Sequence, residues 1–140
     1  FYQRRLFDQD YVCLMRAGHA LADGELTLER FSEAQHIIIE AQGTGHGRVE
    51  KQLMRSGISR IVRLRLRHFI SAPYIVSTTD LVATVTEKLA LQTSKSLGLV
   101  ARPHPVPIPP AQINVFWHRR YHQDTGNIWL RNIVFELFSE

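Results

Sequence analysis

The sequence predicts an α/β domain built on a largely parallel sheet, and two patterns predict it. Short β-branched runs bounded by turn residues alternate with stretches of helical periodicity, and the connections between them are only a few residues long, as βα units require. Composition agrees: 140 residues, 44% hydrophobic and 21% charged, with 8 Gly and 6 Pro, describe a globular chain. A chain of that size buries roughly two-thirds of its unfolded surface.

Leu6 to Met15 reads as one long extended run, ended by Gly18 after Arg16 and Ala17. Thr27 is placed to cap a short helix from Leu28 to Ala34, with Arg30 where a full capping box would have Glu. His36 to Glu40 is a short buried strand, and Gly43-Thr44-Gly45-His46-Gly47 leads into a helix from Arg48 to Ser56 that stops at Gly57. Ile61 to Leu66 alternates with period two, Val62, Leu64 and Leu66 on one face and Arg63, Arg65 and Arg67 on the other. A helix follows Pro73 through Thr78, then a strand Leu81 to Val85, a cap at Thr86 and a helix from Glu87 to Leu97 that stops at Gly98. Leu99 to Ala101 is extended, and Pro103, Pro105, Pro107, Pro109 and Pro110 form a stiff connector, since each fixes φ and removes a donor. Beyond it come a strand, Gln112 to Trp117, and a helix from Gly126 to Phe138, apolar at Leu130, Ile133, Val134, Leu137 and Phe138.

Several function classes are disfavoured by residue content. Seventeen Lys and Arg against 13 Asp and Glu give +4, short of the clustered charge of a nucleic-acid reader. No run approaches the ~20 apolar residues of a membrane span. The single cysteine, Cys13, sits in an apolar run and suits a reducing compartment. The start Phe1-Tyr2-Gln3-Arg4-Arg5 has neither Met nor a signal pattern, which points to a piece of a longer polypeptide. No G-x-S-x-G elbow, activated cysteine or paired carboxylates suggest catalysis, and no cofactor motif is present. His118 and His122 are four apart but lack the Glu of a zinc helix, so no metal is expected. The arginine stripe carries no interleaved aromatics and reads as a solvated face. The glycine-rich segment at residues 43–47 is the most informative local feature. Glycines admit close backbone approach and a helix start favours an anion such as a carboxylate, although a plain glycine turn explains it equally well.

Taken in order, many short stretches resemble the effector-binding domain of LysR-type transcriptional regulators, in particular the branch that answers to salicylate and nitroaromatics. They include Arg5-Leu6-Phe7, Tyr11-Val12-Cys13, Leu26-Thr27-Leu28-Glu29-Arg30-Phe31, Gly43-Thr44-Gly45-His46-Gly47 and His68-Phe69-Ile70. Further along come Thr79-Asp80-Leu81, Ala83-Thr84-Val85, Pro103-His104-Pro105, Phe116-Trp117-His118 and Asn127-Ile128-Trp129-Leu130-Arg131.

The resemblance implies a type II periplasmic-binding-protein-like fold: two Rossmann-like subdomains joined by crossover strands, with the effector between them. Residues 1–8 then close the first subdomain and cross over, residues 9–105 form the second, and residues 106–140 return to an incomplete first. It further implies a cytoplasmic, non-enzymatic homo-oligomer, dimer or tetramer. That oligomer would bind promoter DNA through an N-terminal winged helix-turn-helix outside this chain. By the same resemblance Phe7, Gln9, Thr44, His46, Lys88 and Ile113 line the effector cleft and suit a small aromatic carboxylate. Thr44 and His46 would donate to the carboxylate, Lys88 would neutralise it, and Phe7 and Ile113 would pack on the ring. The branch carries Arg in place of Lys88, His or Gln at Gln9, and Pro in place of Arg67; Arg to Lys trades a planar fork for a point charge. A solute-binding or enzyme domain on the same architecture is the alternative from another class. A third reading makes the last helix and the arginine stripe an oligomerisation surface without a ligand.

Overall fold

A computed structural model describes residues 1–41 and 46–138, the side chain of His46 excepted. The extended run expected from Leu6 to Met15 is two strands, β1 (Tyr2–Gln9) and β2 (Tyr11–Arg16), broken at Asp10. The chain divides there between two compact units: Phe1–Gln9 with Pro110–Glu140, and Asp10–Pro109.

The larger unit continues through α1 (Leu28–Glu33), β3 (Gln35–Ile39), α2 (His46–Arg55), β4 (Ile61–Leu66) and α3 (Ala72–Ser77). It ends with β5 (Leu81–Thr86), α4 (Glu87–Leu97) and β6 (Leu99–Pro103). Local chemistry sets the boundaries. The Thr27 hydroxyl accepts from the Arg30 N–H at 3.3 Å, as expected of an N-cap. Gly98 ends α4 in the left-handed region at φ 63, where a side chain would be strained. Thr86 occupies the N-cap of α4, as expected, but makes no side-chain cap bond; the first helical N–H, of Glu87, donates to the Asp10 carbonyl at 2.9 Å.

Five strands form one sheet in the order β4-β3-β5-β2-β6. β3 runs parallel to β4 and β5, while β2 is antiparallel to both of its neighbours, β5 and β6. Four of the five strands thus run in one direction, the largely parallel sheet expected, and β2 alone runs against them. β2 belongs to no βαβ unit: it enters directly from Asp10, at the end where β5 stops, and runs back between β5 and β6. The connections β3-α2-β4 and β4-α3-β5 step in opposite directions along the sheet, so right-handed crossovers cover both faces. Leu14, Ile37, Val76, Ala83, Val85 and Ala90 fill one side. Phe31, at 0% exposure, anchors the other, where a side chain of its size contributes about 3 kcal/mol by burial.

The smaller unit pairs β1 with β7 (Ala111–Trp117) as an antiparallel ribbon, from Tyr2↔Trp117 to Gln9↔Ala111, with an irregularity between Arg5 and Phe7. Its helix α5 (Thr125–Phe138) starts at Asp124, whose carboxylate accepts from the Asn127 N–H at 2.8 Å. No residue of α5 is fully buried, and Trp129 and Leu137 are 66% and 69% exposed. Among the described residues no helix is long and apolar enough to cross a membrane.

Candidate functional site

In the larger unit the carboxyl ends of β3 and β5 lie side by side, because the two strands are parallel and in register from Gln35↔Leu81. Both following helices, α2 and α4, therefore start at that end of the sheet, where open α/β sheets place their ligands. Lys88 is the second residue of α4 and is exposed there. His46 is the first residue of α2. Thr44 and the rest of residues 42–45 lie outside the described residues, as does the His46 side chain.

In the smaller unit Phe7 pairs with Ile113 across β1 and β7, and Gln9 is two residues along from Phe7. Strand periodicity puts these three on one face of the ribbon. The Gln9 Oε1 is buried and has no hydrogen-bond partner among the described residues. An unmet buried carboxamide oxygen costs about 1–3 kcal/mol, so a donor at this position would be stabilising. The structure thus brings Phe7, Gln9 and Ile113 together in one unit, and the starts of the Lys88 and His46 helices together in the other.

Sequence reasoning missed the buried polar group behind the sheet. His36 Nε2 donates to the Phe31 carbonyl at 2.6 Å, and His104 bonds the Val106 backbone through Nδ1 at 3.0 Å and the Thr84 hydroxyl through Nε2 at 3.1 Å. The Phe31 ring lies edge-on to both imidazoles, 4.5 Å from His36 and 4.9 Å from His104. Burial lowers both histidines to about 4; their backbone hydrogen bonds offset part of this and the Arg60 charge adds to it. Both are neutral at pH 7. Arg60, whose side chain is only 4% exposed, reaches both Glu50 oxygens at 2.7 and 2.6 Å, while its Nη1 has no partner among the described residues. Burial pushes the Cys13 thiol up to about 12, which leaves it a packing residue without nucleophilic character. No periodicity marks these positions; Glu50 lies in α2 and Arg60, ten residues on, in the loop just before β4.

Two other expectations acquire partners. His118 Nδ1 accepts from the Arg120 N–H at 3.2 Å, and His122 Nδ1 accepts from the Trp117 indole at 3.1 Å, so each commits a ring nitrogen to local structure. Arg65 pairs with Glu40 at 2.5 Å on the solvated face of β4, and Arg63 donates to Gln35 at 3.2 Å. A depression of about 500 Å³ opens elsewhere in the larger unit, beside α4, and among the described residues none of the expected site positions lines it.

Comparison with known proteins places these features in context. The family of LysR substrate binding domains matches residues 1–138. Over 140 residues the chain is 46% identical to the HTH-type transcriptional activator NagR of a Ralstonia species and 47% identical to the HTH-type transcriptional activator NahR of Pseudomonas putida. The match takes in 100% of this chain but 46% and 47% of those proteins, so the chain spans just under half the length of either relative. The regulatory domain of MexT, a transcriptional activator in Pseudomonas aeruginosa, superimposes with a TM-score of 0.80 at 24% identity, covering 96% of this chain and 66% of that one. At that identity the likeness shows the fold.

Proposed function

Because the chain belongs to the LysR substrate-binding domain family, as an effector-binding domain of periplasmic-binding-protein-like fold, we propose that it senses a small aromatic carboxylate of the salicylate type. The observation that carries the reading is the unbroken similarity to two transcriptional activators along the whole chain. The site chemistry supports it. Lys88 supplies an exposed cation at a helix start, and Phe7 and Ile113 supply an apolar face beside a carboxamide oxygen that lacks a donor among the described residues. On this reading Thr44 and His46 donate to the carboxylate, Lys88 balances its charge, and Gln9 accepts from a ring hydroxyl.

On this reading the larger unit, residues 10–109, is the second subdomain, and residues 1–9 and 110–140 belong to the first. Effector binding biases two arrangements of a homo-oligomer whose winged helix-turn-helix domains, outside this chain, contact promoter DNA. The relatives it matches are transcriptional activators, and on this reading the domain is a sensor and not an enzyme.

Replacing His46 or Lys88 by Ala in the intact regulator is expected to weaken salicylate binding by about tenfold or more each, the worth of one charge-assisted contact. Calorimetry on each variant checks it, and affinities equal to the unsubstituted protein would remove these residues from the site.

A further inference from the structure

The depression beside α4 is built differently from the effector site. Its walls are apolar, formed by Val12 of β2, Leu91 of α4, and Val106 and Ile108 from the proline-rich connector. Two acidic residues, Asp10 and Glu87, also line it. Both residues are exposed, and neither carboxylate takes part in an ion pair or side-chain hydrogen bond among the described residues.

The positive groups nearby are already committed. The Arg102 guanidinium donates through both Nε and Nη2 to the Ala22 carbonyl. The Glu87 N–H, which would otherwise be offered to an anion at the helix start, donates to the Asp10 carbonyl at 2.9 Å. His104, also in the lining, is neutral because burial lowers it to about 4. With Asp10 and Glu87 against Arg102, the depression keeps a net negative charge over apolar walls. Its volume, about 500 Å³, suits a small molecule.

We propose that this depression is a second ligand site, separate from the aromatic-acid site, that takes a compact organic cation: an aromatic or branched alkyl body bearing a primary ammonium. The body displaces water from Val12, Leu91, Val106 and Ile108, while the ammonium sits between the two carboxylates. A carboxylate ligand is repelled by the same two acids. The site is therefore selective in the opposite sense to the proposed effector site, whose cation is Lys88.

The test titrates benzylammonium into the isotopically labelled chain and follows amide resonances, with benzyl alcohol and benzoate as the neutral and anionic counterparts. Benzylammonium is expected to give saturable shifts centred on Val12, Leu91, Val106 and Ile108. Benzyl alcohol should bind there about tenfold more weakly, as should benzylammonium to the double variant Asp10→Asn/Glu87→Gln. Both substituted side chains are exposed, so the variant keeps its fold, which its spectrum verifies. Shifts that stay linear with concentration, equal binding by the double variant, or a benzoate response at Leu91 and Ile108 as strong as the cation's would each overturn the proposal.

Discussion

Acidification from pH 7 to pH 4 is expected to cost the larger unit about 3 kcal/mol through His36 alone, with a further contribution of similar sign from His104. The direction follows from the protons bound. Each imidazole titrates at about 4 when folded and at 6.5 when exposed, so between those values the unfolded chain holds more protons and gains stability relative to the native state. The stabilisation is complete above 6.5, declines as the pH falls, and is gone below about 4. Urea unfolding at a series of pH values measures the slope. His36→Gln keeps a donor for the Phe31 carbonyl but removes one titration, so the slope should flatten in that variant. An unfolding free energy that stays level from pH 7 to pH 5 would contradict the burial of these histidines in neutral form.

Removing Glu50 should be nearly as damaging. Glu50→Ala leaves the Arg60 guanidinium, 4% exposed and with Nη1 already unmet among the described residues, in the interior without a counter-charge. Breaking a buried ion pair from one side costs about 3–5 kcal/mol, and the lower end applies because Glu50 is 28% exposed. The paired replacement Arg60→Met/Glu50→Leu removes both charges at similar volume and should recover most of the loss. Thermal unfolding of the two variants checks the contrast. A single variant within about 0.5 kcal/mol of the unsubstituted chain, the range of ordinary surface changes, would show that Arg60 finds water instead.

The acid and charge effects meet in one place. Phe31, His36, Thr84, His104, Arg60 and Glu50 tie α1, α2, the start of β4 and the connector after β6 to one face of the sheet. α2 begins at His46, so the residues that anchor that helix from below also fix where its first turn lies.

Much of this architecture was legible in the residues because periodicity and caps are local. Val62, Leu64 and Leu66 alternating with arginines specify β4, Thr27 specifies the start of α1, and Gly98 specifies the end of α4. The break at Asp10 was not legible in the strand pattern, since an extended run reads the same whether its strand stays in one sheet or leaves one pairing for another. The direction of β2 was hidden for the same reason: strand sense is set by partners distant in sequence, here β5 and β6. Thr86 holds the cap position without a side-chain cap bond, and the Asp10 carbonyl that takes the Glu87 N–H is invisible until the fold is known.

For the candidate site the residues yielded types and the fold yielded neighbours. A lysine one position into a helix is unremarkable in a sequence; its meaning comes from α2 and α4 starting at one end of the sheet. Phe7 and Ile113 are far apart along the chain, and only the β1–β7 register makes them partners. The pair Asp10 and Glu87 had no signal at all, because two isolated acids carry no pattern.

The central claim is that an aromatic carboxylate is the sensed molecule. The measurement that tests it most directly is a calorimetric titration of salicylate, a series of substituted benzoates and the matching benzamides into the regulator that contains this domain. Saturable binding by the acids, weakened by about tenfold or more when the carboxylate becomes an amide, is the predicted result. Absence of saturable binding across the series, or equal affinity for acid and amide, would contradict it.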